Sequence, residues 1–155
     1  MARMERRSKL FLDLSALLTG FDPVELHGTG MVDEYTRALE AVLPAGVLDE
    51  LLSTYERLLA TDHTQAALTS ELLDDTKLGP AARNVILLWY LGAWAGMPDD
   101  WRAAYGATSL DHHHVISAAA YQSGLQWVAA GAHPAGSAAP GFGSWAAPPR
   151  QEARR

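Results

Sequence analysis

The sequence predicts an all-α protein: a compact bundle of about five to six helices around a buried central helix, followed by an extended tail rich in Gly, Ala and Pro. The 155 residues are 48% hydrophobic and 19% charged, which is enough apolar material for one core in a chain of single-domain length. Apolar residues recur at helical spacing in successive segments, and no segment shows convincing strand alternation. We assign residues 8–131 to the helical domain and residues 132–155 to a docking tail.

Four amphipathic segments make up the first half of the chain. In each one, apolar residues three and four positions apart would form the buried face of a helix. Ser8 and Gly20 are the predicted start and stop of the first helix, and the three residues after Gly20 are predicted to form a turn. Thr64 is the predicted N-cap of the fourth helix, and Leu59 is placed on the buried stripe of the third. The second, third and fourth helices are predicted at about residues 31–42, 45–60 and 65–73.

The fifth segment is the predicted central helix. Gly79 and Pro80 open it, because proline in the first helical turn loses no hydrogen bond. Residues 85–91 are apolar on every side, so other elements should surround them. A buried strand remains the alternative for this run, because periodicity does not separate strand from helix over so short a length.

The second half of the chain is predicted to hold one more helix. Residues 101–114 are predicted to form a long, partly ordered connection. Ser117 is the predicted cap of the sixth helix and Gly131 its stop. The residues predicted to share one face of this helix are Tyr121, Gly124, Leu125 and Val128.

Charge and residue content exclude several classes of function. The formal net charge is -6, so nucleic acids and anionic membrane surfaces would be repelled by the average field of the protein. No run approaches the roughly 20 apolar residues of a membrane span. The absence of cysteine removes disulfides, thiolate catalysis and cysteine-ligated iron–sulfur clusters. We therefore expect no nucleic-acid partner and no direct membrane insertion.

No motif in the chain predicts intrinsic chemistry. The glycines of residues 141–146 are spaced as in a dinucleotide fingerprint, but no strand precedes them and no helix follows. Asp111 and the three histidines His112, His113 and His114 form the one cluster of metal-ligand residues, yet adjacent histidines point in different directions. We predict a polar loop there, and no catalytic, cofactor-binding or metal-binding residue in this chain. A metal site at Asp111 to His114 remains the alternative.

Four short motifs, taken together and in order, resemble a bacterial protein family. They occupy residues 14–20, which end in Leu-Thr-Gly, 89–92 (Trp-Tyr-Leu-Gly), 131–134 (Gly-Ala-His-Pro) and 140–145 (Pro-Gly-Phe-Gly-Ser-Trp). The family is the small subunit of membrane-bound FAD-containing D-sorbitol dehydrogenase, related to the small subunits of fructose and glucose dehydrogenase complexes. The similarity covers about residues 10–149, nearly the whole chain.

The resemblance implies a role without chemistry of its own. In such complexes a large flavoprotein of the glucose–methanol–choline oxidoreductase type holds FAD and oxidises the polyol or sugar. A multihaem cytochrome subunit carries the electrons to quinone and anchors the assembly to the membrane. The small subunit is a non-catalytic accessory that binds the large subunit, helps it to mature and escorts it. This chain would then bind no cofactor, and FAD would lie in its partner.

The resemblance also implies export, because small subunits of this family usually carry a twin-arginine signal. Arg6 and Arg7 are present, but Lys9 and Asp13 interrupt the apolar region that should follow, so no complete signal is visible. We expect the periplasmic face of the inner membrane if the chain is exported, and the cytoplasm if it is not.

The motif residues form two groups of candidates. Those expected to have structural roles are Leu18, Thr19, Gly20, Trp89, Tyr90 and Gly92, with Gly92 allowing another backbone to come close. Those expected to contact the partner are Phe142, Trp145, His133 and Pro140, because large aromatics in an unpacked tail favour a contact surface. A tail that folds back onto its own core is the alternative. A helical binding module without a dehydrogenase partner also remains open.

Overall fold

The computed structural model describes residues 2–61 and 64–134 and confirms the all-α class. The helices and strands of this part of the chain are α1 (Ala2–Thr19), α2 (Pro23–Gly28), α3 (Val32–Val42), α4 (Val47–Leu59), α5 (Gln65–Asp74), α6 (Leu78–Leu91), β1 (Ala93–Trp94), α7 (Asp99–Tyr105), β2 (His114–Val115), α8 (Ala118–Gln122) and α9 (Leu125–Ala130). Helices outnumber those predicted because two connections contain short helices and the sixth predicted helix is split. In the described ranges, no helix is both long enough and apolar enough to cross a membrane.

Helix α1 begins before its predicted cap. Ser8 lies inside α1, so its prediction as an N-cap was wrong. Its hydroxyl donates instead to Asp33 Oδ1 at 2.8 Å and ties α1 to α3. The predicted stop is confirmed, because Gly20 has a φ of 76°, a left-handed conformation that L side chains rarely adopt.

The turn predicted after Gly20 contains the start of a short helix. Asp22 caps α2 by accepting a hydrogen bond from Val24 N at 2.7 Å. The Glu25 side chain in turn accepts a hydrogen bond from Asp22 N at 3.2 Å, and the two hydrogen bonds form a capping box. Thr64 caps α5 as predicted, because its hydroxyl accepts from Ala67 N at 3.3 Å.

Helix α6 is central, as predicted, and the strand alternative is wrong. Trp89 is buried between Phe11 of α1, whose ring centroid is 6.2 Å away, and Tyr35 of α3, whose centroid is 4.9 Å away. The expectation that residues 85–91 are enclosed on all sides was wrong, since Leu87 and Leu91 are each 38% exposed. Their shared side of α6 lies outside the core, because they are one helical turn apart.

The connection predicted at residues 101–114 is an ordered unit. It begins with α7, and it ends with β2, which pairs antiparallel with β1 through Ala93 opposite Val115 and Trp94 opposite His114. Strands of two residues are too short to show the alternation that would predict them.

The sixth predicted helix is split at Gly124 into α8 and α9. Ser117 caps α8 as predicted, accepting from Ala120 N at 3.0 Å, and Gly131 ends α9 with a φ of 62°. The predicted common face was wrong at Val128, which is 72% exposed while Leu125 is buried. The break at Gly124 changes the direction of the chain, so one helical stripe does not continue through it.

Ion pairs attach the start of α1 to two other helices. Arg7 pairs with Glu40 of α3 and with Asp49 of α4, and its side chain is largely buried. Arg6 pairs with Glu56 of α4 at 2.6 Å between exposed groups. The partly buried ion pairs of Arg7 stabilise the packing of α1 on α3 and α4 more than the exposed Arg6–Glu56 pair does, because solvent screens them less.

A test of the core concerns the hydroxyl of Tyr35. This side chain is fully buried, and its hydroxyl has no hydrogen-bond partner among the described residues. Burial, with a smaller contribution from the charge of Glu34, raises its pKa well above the ordinary value of about 10. The unfolded chain therefore loses this proton first, and stability falls as the pH rises above about 10, by roughly 1.4 kcal/mol per pH unit.

We expect Tyr35→Phe to keep or raise the free energy of unfolding at pH 7, by up to about 1 kcal/mol, and to reduce the alkaline loss. Urea unfolding at pH 7 and at pH 11 measures both effects. Tyr55→Phe should remove a separate part of the alkaline loss, because burial and the charge of Asp13 raise the Tyr55 pKa. A clear loss of stability of Tyr35→Phe at pH 7 would show that the hydroxyl makes a stabilising hydrogen bond.

Candidate functional site

Two of the four motifs meet in the fold. Leu18, Thr19 and Gly20 end α1, while Tyr90 and the residues around it end α6. Phe21, directly after the first motif, places its ring edge against the ring of Tyr90, with centroids 6.1 Å apart. The structure thus brings the residue that follows one motif into contact with the other motif.

The Leu-Thr-Gly residues shape the end of α1. Leu18 is buried in the core. Thr19 donates its hydroxyl hydrogen to the carbonyl of Ser15 at 2.8 Å and accepts from Phe21 N at 3.3 Å. Together with the left-handed Gly20, these bonds turn the chain so that Phe21 faces α6.

Gly92 allows the close backbone approach that the sequence predicts. It has a φ of 65°, and a Cβ at this position would lie 2.6 Å from Tyr121 N and closer still to the carbonyl of Ala120. Gly92 also donates to the carbonyl of Leu88 at 2.9 Å and accepts from Ile116 N at 2.9 Å. The residue therefore joins the end of α6 to β2 and α8.

The third motif, at residues 131–134, directly follows α9. Gly124, before α9, lies against α6, since a Cβ there would be 2.7 Å from the carbonyl of Tyr90. His133 is exposed, and Pro134 is buried. Phe142, Trp145 and Pro140 lie outside the described residues, so their predicted contact with a partner stays a prediction.

A groove of about 700 Å³ runs beside the first motif. We call it the α1–α5 groove, because it lies among the ends of α1 and α4, the start of α5 and the turn into α2. Leu59, on its edge, is 50% exposed, so its assignment to the buried stripe of the third helix was wrong. The adjacent Leu58 is buried, and neighbouring positions on a helix point about 100° apart. The residues that line the groove are Asp13, Ala16, Leu17, Gly20, Phe21, Asp22, Pro23, Tyr55, Leu59, Gln65 and Leu68.

A second cavity, of about 610 Å³, lies on the other half of α1. It is bounded by the start of α1 and by residues around the α2–α3 connection. Its charged and titratable lining has both signs, with Lys9 and His27 against Glu5 and Asp33. Neither cavity is predictable from the sequence, because each depends on how separate helices pack.

Asp111, which the sequence analysis named only as part of a candidate metal cluster, has a buried carboxylate with a structural role. Its Oδ1 accepts from Trp94 Nε1 and from Met97 N, each at 2.9 Å. Its Oδ2 lies 3.4 Å from Arg102 Nε and makes no hydrogen bond within the described part of the chain. Asp111 thus fastens the connection after β1 to the strand and to α7, and its role is structural.

The three histidines next to Asp111 do not converge. His112 and His114 have ring centroids 4.9 Å apart, and His114 Nδ1 lies 2.7 Å from the carbonyl of His112. The carboxylate of Asp111 is engaged with Trp94, Met97 and Arg102 instead. Within residues 2–61 and 64–134, no three or more His, Asp or Glu side chains are grouped so that they could hold a metal ion.

Comparison with protein-family models, with curated proteins and with solved structures finds no match for this chain.

Replacement of Gly92 tests the junction of α6 and α8. We expect Gly92→Ala to lower the free energy of unfolding by about 3 kcal/mol, because left-handed strain adds to a clash with the backbone of α8. Gly131→Ala is the matched control, since Gly131 has nearly the same φ but open space around it. It should lose only about 1 kcal/mol. Equal losses for the two variants in urea unfolding would remove the close approach as a constraint.

Replacement of Asp111 separates its hydrogen bonds from its charge. Asp111→Ala leaves the Trp94 and Met97 N–H groups without an acceptor, so we expect a loss of about 3 kcal/mol. Asp111→Asn retains an acceptor oxygen for Trp94 and Met97 but replaces the ion pair with Arg102 by an amide N–H2 that faces the guanidinium, so the loss should be smaller, about 1 kcal/mol. Thermal or urea unfolding measures both. If Asp111→Asn is as unstable as Asp111→Ala, the charge is the essential feature.

Proposed function

We propose that this chain is a non-catalytic small subunit of a bacterial FAD-dependent polyol or sugar dehydrogenase complex of the D-sorbitol dehydrogenase type. In this role it binds the large flavoprotein, of the glucose–methanol–choline oxidoreductase type, and helps it to mature. The observation that carries the proposal is that motif segments far apart in sequence lie together in the fold. Phe21, two residues after the end of α1, contacts Tyr90 at the end of α6, and α9, which leads into the tail, packs on the same end of α6.

The polar groups of the described domain support a binding role. Arg7 and Asp111 form ion pairs between elements, and Ser8 joins α1 to α3. Asp22 and Thr64 cap helices. These contacts hold a rigid scaffold, and a rigid scaffold presents a tail and a surface to a partner at a low cost in conformational entropy.

Maturation of the flavoprotein follows from binding alone. A subunit that binds the folded flavoprotein and not its unfolded chain stabilises the folded form, by about 2.7 kcal/mol at a hundredfold excess over the Kd. The folded flavoprotein is also the form that retains FAD. The small subunit therefore raises the yield of loaded enzyme without touching the cofactor or the substrate. A multihaem cytochrome subunit would complete the path of electrons to quinone.

Co-expression with the large flavoprotein encoded beside this chain tests the proposal. We expect the two chains to co-purify, and the amount of FAD-loaded, dye-reducing flavoprotein to rise when this chain is present. Expression of the flavoprotein alone is the reference. Separate elution of the two chains, with the same FAD content in both preparations, would reject the proposal.

The predicted tail contact is tested by Trp145→Ala in the co-expressed complex. We expect co-purification with the flavoprotein to fall about tenfold, because a large buried aromatic is typical of the residues that dominate an interface. The helix content by circular dichroism should not change. Trp145→Phe is the matched control and should retain most of the complex. Full retention of the complex by Trp145→Ala would exclude this residue as the contact.

A further inference from the structure

We propose that, in the chain without a partner, the α1–α5 groove binds the aromatic segment of its own tail, residues 140–145, with Phe142 and Trp145 seated in it. The inference does not depend on the proposed function, since it concerns the isolated chain. Three features support this binding: the chemistry of the groove, the charge of the tail and the length of chain that joins them.

The groove has the chemistry of a site for aromatic side chains. Leu17, Phe21, Leu59 and Leu68 provide apolar lining, and Leu59 is half exposed. The volume of about 700 Å³ lies within the range of about 300–1,000 Å³ typical of pockets for ligands with several rings. Two aromatic side chains placed there would remove apolar surface from water on both sides.

Charge favours the tail as the occupant. The charged residues of the groove are Asp13, which pairs with Lys9 at 2.6 Å, and Asp22, which has no ion pair among the described residues. The tail carries three arginines (Arg150, Arg154 and Arg155) against one acidic residue, Glu152, whereas residues 1–134 contain 9 Lys+Arg and 17 Asp+Glu. An apolar segment followed by basic residues complements an apolar groove with an acidic rim.

The second cavity lacks this complementarity. Lys9 contributes to its lining, so a basic tail would meet a group of its own sign there. Of its two acidic residues, Glu5 and Asp33, Asp33 already accepts a hydrogen bond from Ser8. The α1–α5 groove is therefore the better match of the two.

The chain is long enough to reach the groove. Phe142 follows Pro134 by eight residues, which span about 26 Å when extended. Helix α9 is only about 9 Å long. It starts beside the carbonyl of Tyr90, whose ring contacts Phe21 on the groove. A tail that runs back along α9 is therefore long enough to place Phe142 in the groove.

The cysteine-free sequence allows a direct test by disulfide trapping in the full chain. Gln65→Cys places one thiol on the groove and Ser144→Cys places the other between the two tail aromatics. His27→Cys with Ser144→Cys, on the second cavity, is the matched control for random collision. Under mild oxidation of monomeric protein, we expect the 65–144 disulfide to form about ten times faster than the 27–144 disulfide, because docking raises the effective concentration of the thiols.

Two disruptive variants test whether binding in the groove causes the difference between the rates of the 65–144 and 27–144 disulfides. Leu59→Glu adds a like charge to the acidic, apolar groove and should bring the 65–144 rate down to that of the control pair. Leu110→Glu, at an apolar residue that is 44% exposed and does not line the groove, should leave the rate unchanged. Phe142→Ala combined with Trp145→Ala tests the tail side and leaves the helical domain untouched.

The outcomes separate the alternatives. Equal rates for the two thiol pairs, or no effect of Leu59→Glu and of the tail double variant, would overturn the proposal. Disulfides that form between two molecules and depend on Leu59 would also overturn it, because they assign the groove to the tail of a second copy. Neither result bears on whether the flavoprotein binds, which the co-expression experiment measures.

Discussion

The packing of Trp89 between Phe11 and Tyr35 is the interaction on which the rest of the structure depends. It joins three helices that are far apart in sequence, and each aromatic pair contributes about 1 kcal/mol beyond the burial of its area. Because Trp89 holds α6 against α1, the following residue Tyr90 is carried to the edge of the core, where it meets Phe21. The junction of the motifs and the groove beside it are therefore consequences of how one tryptophan is buried.

Close backbone contacts extend this arrangement to the second half of the chain. Gly92 lets the end of α6 touch α8, and Gly124 lets α9 approach the carbonyl of Tyr90. A side chain at either position would push these short helices away from α6. The start of the tail would then move away from the groove. Glycines thus set the geometry on the C-terminal side, whereas aromatic side chains set it on the N-terminal side.

Interactions within one helical turn were predictable from the sequence, and interactions between residues far apart in the chain were not. The ends at Gly20 and Gly131 and the caps at Thr64 and Ser117 were predictable, because each depends on residues within one turn. The roles of Ser8 and Asp111 were not, since Asp33 and Trp94 lie 25 and 17 positions away from them. The groove was missed for the same reason, because its lining comes from separate helices.

The ion pairs of Arg6 and Arg7 form only after a later part of the chain has been synthesised. Their acidic partners Glu40, Asp49 and Glu56 follow them by 33 to 50 positions. At about 5–20 residues per second, synthesis of that stretch takes roughly 2–10 s. During this interval both guanidinium groups are free of these partners, and after α1 docks they are neutralised by them. Any protein that recognises the arginine pair must therefore bind during synthesis or compete with the folded domain for the same charges.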